Sequence, residues 1–397
     1  MKIKKVEVVD FGLTEFKTEQ RKVWDKNGRR PPWSASGPVA NPMTPYPRYS
    51  AYRPSWMPPA NSTANPSAGV LVTADDGSQG FSVFYWADFL GSIISDYLGP
   101  RIQGEPAMAT EKIYDMMVRL CAPFGASGLA SYAVSAIDLA LWDLKGKVLD
   151  KPVYELIGGP QKDFIKCYPT GGDVDWHMEL GFPATKLPCP YGPHDGLDGL
   201  HKNVELIAAT REIVGQDIEI MLDCWMAFDV EYTVKLAERL RPYQLSWIEE
   251  TLRPEEFSAH QELRRRLPWQ ILATGEHWYT TKPFFEAARS HVADILQPDI
   301  GWVGGLTPLI KICAIAEAAG LSVVPHGGAI TPYGQHAIFS MPAVRWGEYY
   351  IGSPPGVSLA DAVLMPGVPY AVDGKLIPSD APGFGVALKP ENFTIIR

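Results

Sequence analysis

From Ser131 onward the chain alternates between short apolar runs and amphipathic stretches, about eight times over roughly 220 residues. The apolar runs close near Tyr168, Leu187, Asp223, Glu249, Glu276, Gln297, Pro325 and Tyr350. Helical spacing falls between them, as in Asn203–Val214 and in Val230–Leu240, where Val230, Thr233, Leu236, Ala237 and Leu240 share one face. Strand–helix repeats of this kind predict a closed parallel (β/α) barrel. In such a barrel the C-terminal strand ends converge on one mouth, so residues leaving strands there are the first candidates for chemistry.

Three of those residues are acids. Asp223, Glu249 and Glu276 end successive apolar runs at spacings of 26 and 27 residues, one βα unit each. Carboxylates brought together in a half-buried mouth repel one another, and a hard divalent cation relieves that repulsion. Oxygen ligands with room left for water and substrate suit Mg²⁺. Helix capping or a plain surface charge explains any single acid, but not three at one period.

Ile295–His326 is a complete βαβ unit. Ile295-Leu296-Gln297 reads as a strand that ends at Pro298 and Asp299. Gly301–Gly305 follows as a turn, then Thr307 as N-cap with Pro308 at the first helical position. The helix runs to about Ala319, Gly320 stops it, and Leu321–Pro325 forms a strand ending at His326. Asp299 and His326 thus share one end of adjacent parallel strands. A carboxylate beside a histidine makes an oriented general base.

Residues 1–130 follow another pattern, α+β. Ile3–Val9 reads as a strand, and Gly69–Thr73 with Phe81–Phe84 as a hairpin turned by Asp75-Asp76-Gly77. Residues 87–122 read as helical, broken at Gly99-Pro100. A loop of about residues 22–67, rich in Pro, Ser, Asn, Tyr and Trp, has the character of a lid, with Arg48 and Arg53 as its notable cations. Ser131–Val148 is a periodic helix with Ala133, Ala136 and Ala140 on one face and Asp143 and Lys147 expected in solvent. The division expected is a cap over 1–130, a barrel over 131–357, and a segment over 358–397 that returns to the cap.

With 36 basic and 45 acidic residues the net charge is −9, and no basic stripe is present, which argues against nucleic acid as a partner. Five scattered cysteines form no metal-binding spacing and fit free thiols in a reducing compartment. No apolar stretch reaches the length of a membrane span, and Met1–Lys5 leads into a strand rather than a signal sequence, so a cytoplasmic location is expected.

Taken together these residues resemble the enolase superfamily, mandelate racemase subgroup. The segment from Ala133 through Asp138, Asp143 and Lys147, then Pro152-Val153 and Leu156-Ile157-Gly158, follows that family's helix-to-barrel signature. Within the subgroup the chain is most similar to L-rhamnonate dehydratases, through Leu222-Asp223-Cys224-Trp225-Met226, Trp247-Ile248-Glu249-Glu250, Gly275-Glu276-His277, Gln297-Pro298-Asp299 and Pro325-His326-Gly327. The resemblance implies a modified (β/α)7β TIM barrel with an α+β N-terminal cap. It implies Mg²⁺ on Asp223, Glu249 and Glu276, and His326–Asp299 as the catalytic dyad. His277 and Glu348 join the catalytic set, and Arg53, Lys186 and Trp225 contact substrate. The reaction implied is loss of water from a sugar acid, L-rhamnonate or a relative such as L-lyxonate or L-mannonate, to the 2-keto-3-deoxy acid. Racemases of the group carry Lys-x-Lys at the end of the second strand. Here that stretch is Lys186-Leu187-Pro188, so the second base is missing, which favours elimination over epimerisation or cycloisomerisation. A sugar-acid-binding protein without catalysis is the remaining alternative. The resemblance also implies a homo-oligomer, between dimer and octamer.

Overall fold

The computed structural model describes residues 1–11, 39–43, 46, 67–85, 87–353, 355–362, 365–388 and 390–397. Most of the expected lid, with Arg48 and Arg53, lies outside the described residues.

The N-terminal sheet is built from β1 (Ile3–Asp10), β2 (Ser67–Ala74) and β3 (Gln79–Tyr85), each antiparallel to its neighbour. Gly77 provides the positive φ of the β2–β3 turn, and the Asp76 carboxylate accepts the Ser78 N–H across it at 3.0 Å. The helix Leu129–Val148 lies on this sheet, and its small residues explain the closeness. A Cβ at Gly80 of β3 would stand 2.0 Å from the Ala140 carbonyl oxygen. Ala133, Ile137, Ala140, Leu141 and Leu144 join Val6, Val8, Val70 and Val72, with Ile113 and Met117 of the helix Thr110–Cys121, in one buried core.

Gly99-Pro100 does not break the preceding helical segment. Helical turns pass from Ala87–Ser92 through Ile93–Leu98 to Gly99–Ile102, and the chain first leaves the helix at Gln103. The helix changes from π to α turns at Gly99, and Pro100 sits in the first turn of that last segment.

Eight strands follow in parallel: β4 (Ile165–Pro169), β5 (Ala184–Pro188), β6 (Glu219–Asp223), β7 (Trp247–Glu249), β8 (Leu272–Thr274), β9 (Ile295–Leu296), β10 (Ser322–Val323) and β11 (Gly347–Tyr349). From β5 to β10 the ladder is continuous, and β11 pairs β4. Single bridges continue the ring at its two joints, Thr170 to Lys186 and Val323 to Val344. Among the described residues seven helices separate the eight strands, from Val174–Glu179 to Pro332–Ser340, which is (β/α)7β order. Tyr168, Met221, Trp247, Ala273, Val324 and Trp346 fill the interior, with Tyr168 edge-on to both tryptophans. The floor is therefore packed with large side chains.

The C-terminal segment adds β12 (Lys375–Leu376) antiparallel to β4 and β13 (Thr394–Ile395) to the free edge of β1. That return overturns the expectation for Asp143, which is buried rather than solvated. Its carboxylate accepts the N–H of Phe81 at 2.8 Å and of Phe384 at 3.0 Å, and pairs with Lys147 at 2.6 Å. Helical periodicity alone could not show that the tail covers this face.

Thr307 is likewise not the N-cap expected. Gly305 holds that position, and the Thr307 hydroxyl instead donates to Asp138 Oδ1 at 2.6 Å. All five cysteines are buried and free. Among the described residues no helix is long and apolar enough to cross a membrane.

Candidate active site

His326 and Asp299 leave β10 and β9 side by side, joined by a parallel bridge. His326 Nδ1 lies 2.7 Å from Asp299 Oδ2, and a second Asp299 oxygen accepts the Gly301 N–H. The carboxylate is thereby fixed by its own turn before it fixes the imidazole. Across the mouth His277 repeats the arrangement, its Nδ1 lying 2.8 Å from Glu250 Oε1. Both rings turn Nε2 toward one atom, Glu276 Oε1, at 3.4 Å from His326 and 3.9 Å from His277. The indole of Trp302 stands between them, with ring centres 5.0 Å from His326 and 5.5 Å from His277. Two carboxylate–histidine pairs thus face one acid across one aromatic wall.

Charge sets the protonation of this group. Burial pulls the His277 imidazole down, but Glu250 and Glu276 outweigh it and push it up to about 9. Burial also acts against charge on His326, and the carboxylates of Glu276, Asp299 and Glu348 still hold it well above the ordinary histidine value. Burial raises the acids themselves, Asp223 to about 6 and Glu249 and Glu276 to about 7.

Lys186 organises the other half of the mouth. It is fully buried on β5, and its Nζ contacts Glu249 Oε1, lies 2.8 Å from Glu348 Oε1 and 3.8 Å from Asp223 Oδ2. The other Glu249 oxygen accepts from Trp247 Nε1 at 2.9 Å and Gln297 Nε2 at 2.7 Å. Glu348 also takes the Thr170 hydroxyl and the Gly327 N–H. Burial would raise the Glu348 carboxyl, but the Lys186 ammonium, His326 and these donors bring it down to about 2. Asp223 and Glu249 are register partners on β6 and β7. The trio of His and acid groups within 4.8 Å of one another among the described residues is Glu250, Glu276 and His277. Asp223 and Glu249 gather instead around Lys186.

The site therefore brings His326, Asp299, His277, Glu348, Lys186, Asp223, Glu249 and Glu276 to one mouth. Trp225 follows Asp223 in the left-handed region at φ 41°, and its N–H is held by Asp223 Oδ1 at 3.0 Å. Sequence reasoning gave no role to Glu250, Gln297, Thr170 or Trp302. The doubled acid Glu249-Glu250 was the available signal. Glu250 takes a positive φ of 44°, which turns its side chain out of strand alternation and toward His277.

Residues 60–158 match the mandelate racemase / muconate lactonizing enzyme N-terminal domain, and residues 174–392 the enolase C-terminal domain-like family. The chain belongs to the mandelate racemase/muconate lactonizing enzyme family. It is 39% identical over 356 residues to a Saccharopolyspora erythraea protein named L-rhamnonate dehydratase, covering 89% of this chain and 90% of that one. Among solved structures it resembles rhamnonate dehydratase from Gibberella zeae complexed with Mg, at TM-score 0.86 and 32% identity over 98% and 95% of the two chains. It also resembles 3,6-anhydro-D-galactonate cycloisomerase from Zobellia galactanivorans, at TM-score 0.70 and 28% identity over 82% and 92%. The cap and (β/α)7β barrel described above are the fold of this mandelate racemase family.

Proposed function

We propose that this chain is a hydro-lyase that removes water from a sugar acid, with a divalent cation, Mg²⁺, at the barrel mouth. The observation that carries the proposal is the pair of carboxylate-oriented histidines facing Glu276. Relatives named L-rhamnonate dehydratase make L-rhamnonate the leading substrate, with L-lyxonate and L-mannonate as stereochemical alternatives. Arg53 of the lid and Trp225 are assigned to substrate contact. Lys186, buried among carboxylates, meets at most the substrate carboxylate.

The donor set suits a hard cation. Asp223, Glu249 and Glu276 are oxygen donors whose raised affinity for protons marks a shortage of positive charge, and a buried oxygen of Glu250 has no hydrogen-bond partner. These three strand-end acids are the ligands proposed, with Glu250 and His277 beside them. A bound cation would stabilise charge developing on the substrate carboxylate and cancel the Glu276 field that holds His326 protonated.

His326 Nε2 removes the proton from C2, while Asp299 fixes the Nδ1–H tautomer and supports the imidazolium. The electron pair left at C2 expels the 3-hydroxyl. That oxygen takes a proton from His277, kept protonated by Glu250, and departs as water. The enol that remains tautomerises to the 2-keto-3-deoxy acid. Pro188 ends β5 in place of the second lysine that racemases of the group carry, so proton removal from C2 falls to His326 alone.

A panel of aldonic acids incubated with the protein and Mg²⁺, read as semicarbazones of 2-keto acids, tests the proposal. Turnover of L-rhamnonate or a stereoisomer is expected; silence across the panel refutes the reaction and leaves a binding protein. The cycloisomerase-like neighbour supports one rival, isomerisation through the same C2 carbanion. Deuterium entry at C2 without water loss would establish it. We further infer a cytoplasmic homo-oligomer, which five free buried cysteines and the family's habit support.

A further inference from the structure

We propose that Tyr132, on the helix Leu129–Val148 that lies on the N-terminal sheet, is a positioning residue for the two site histidines and acts through the indole of Trp302. The inference rests on the reading of His326 and His277 as the proton-transfer pair. Tyr132 stacks on Trp302 with ring centres 5.4 Å apart and planes 20° from parallel. The same indole meets both imidazoles, at 5.0 and 5.5 Å. Tyr132 touches neither histidine through any ring contact of its own; its second aromatic neighbour is Tyr279, 5.9 Å away.

The neighbourhood is built to keep this stack in place. Tyr132, Ser135, Asp138 and Trp142 lie on one face of the helix Leu129–Val148. Ser135 Oγ accepts the Gly304 N–H at 2.8 Å. Asp138 accepts the N–H and hydroxyl of Thr307, and Trp142 Nε1 donates to the Thr307 hydroxyl at 2.9 Å. A Cβ at Gly305 would stand 2.3 Å from Asp138 Oδ2, so helix and loop touch along this line. The same loop begins at Asp299, whose carbonyl accepts the Trp302 N–H at 3.0 Å. One face of this helix therefore clamps the loop that carries both the dyad carboxylate and the aromatic wall.

The physical need is clear from the imidazoles. A hydrogen bond at Nδ1 pins one edge of each ring but leaves rotation about that bond. The indole blocks this rotation for both rings at once, provided the indole itself cannot tilt. Tyr132 is what it rests on. Small misplacement of a proton-transfer group lowers the rate far more than it weakens substrate binding.

The test compares Tyr132→Leu with Tyr132→Phe, which keeps the ring. Tyr132→Leu should lower kcat about tenfold with KM changed less than about twofold, and Tyr132→Phe should restore the wild-type value. Trp302→Leu should cost more, and the double variant Tyr132→Leu/Trp302→Leu no more than Trp302→Leu alone. A second readout needs no turnover: the Cε1–H NMR signal of His326, assigned by its loss in His326→Asn, should move in Tyr132→Leu and return in Tyr132→Phe. An unmoved signal together with unchanged kcat in folded Tyr132→Leu overturns the inference, as do multiplicative effects in the double variant. If the wild-type protein turns over no sugar acid, the proposed reaction fails, while the NMR comparison still decides the positioning role.

Discussion

Replacing Lys186 by Met tests how the mouth is held together. The side chain is fully buried, and its ammonium sits among Glu249, Glu348 and Asp223. Methionine nearly preserves the volume and removes the charge, leaving three buried acids without their cation. Breaking a buried ion pair in this way costs about 3–5 kcal/mol. A chain of 397 residues unfolds with an entropy of about 0.8 kcal/mol per degree, so the melting temperature should fall by about 4–6 °C at neutral pH. The pH dependence gives the sharper check. Burial already raises Glu249 to about 7 and Asp223 to about 6, and Lys186 is the principal group holding them down. Without it both rise further above their unfolded values, so any stability they contribute is present at low pH and lost as pH climbs through the folded values. The gap between wild type and variant should therefore be small near pH 5.5 and widen toward pH 8.5. Mg²⁺ at one fixed concentration should narrow the gap, because loss of the competing ammonium tightens its hold on Glu249 and Asp223, and stabilisation grows with concentration over Kd, reaching about 2.7 kcal/mol at about 100 times Kd. Differential scanning calorimetry across that pH range, with and without Mg²⁺, reads all three effects. A variant melting within about 1 °C of wild type at pH 8 would refute the reasoning, as would a gap that closes as pH rises.

Asp299→Asn should lower kcat by about 10²–10⁴-fold, since an amide no longer enforces one His326 tautomer, while calorimetric Mg²⁺ affinity stays at the wild-type value. His277→Asn and Glu250→Gln should both slow formation of the 2-keto acid yet retain exchange of the C2 proton in D₂O; loss of exchange in His277→Asn would move the proton-abstracting role away from His326. Mg²⁺ binding should weaken as pH falls through about 7, because Asp223, Glu249 and Glu276 are held at about 6 to 7 and protons compete for the same oxygens. Asp143→Ala should destabilise the fold by about 3 kcal/mol, measured by urea unfolding, because it orphans the buried N–H groups of Phe81 and Phe384 and the Lys147 ammonium.

The barrel was legible because its signal is local and repeated. Each strand end is written in a few apolar residues, and the period of about one βα unit places Asp223, Glu249 and Glu276 at one rim without any knowledge of long-range contacts. The Asp299–His326 pair was legible for the same reason, being two ends of one βαβ unit. What escaped depends on segments distant in sequence. Asp143 looks solvated until Phe384, 241 residues later, is laid on it. Thr307 looks like a cap until Asp138 claims its hydroxyl from 169 residues away. Helical and strand periodicities describe one element's faces, and neither predicts which remote backbone will cover them.

Lys186 shows where that limit matters for chemistry. As one letter in a strand it marks the absence of a second lysine two residues on. In three dimensions it supplies the positive charge that Asp223, Glu249 and Glu348 share, so the acids at this mouth are not a bare cluster awaiting a cation. A divalent ion on Asp223 and Glu249 has to divide Glu249 with the ammonium, whereas Glu276 stands on the histidine side with Glu250. Glu276 is thus the one proposed ligand that also faces both imidazoles, and charge placed on it reaches both proton-transfer groups. Glu276→Gln should therefore do more than weaken Mg²⁺. With its field removed, His326 and His277 both lose one of the charges that raise them, and the His277 proton should leave at lower pH than in wild type. Histidine NMR titration of Glu276→Gln without metal measures this directly. An unchanged His277 titration would show that Glu250 alone sets its charge, and that the two halves of the mouth are electrostatically independent.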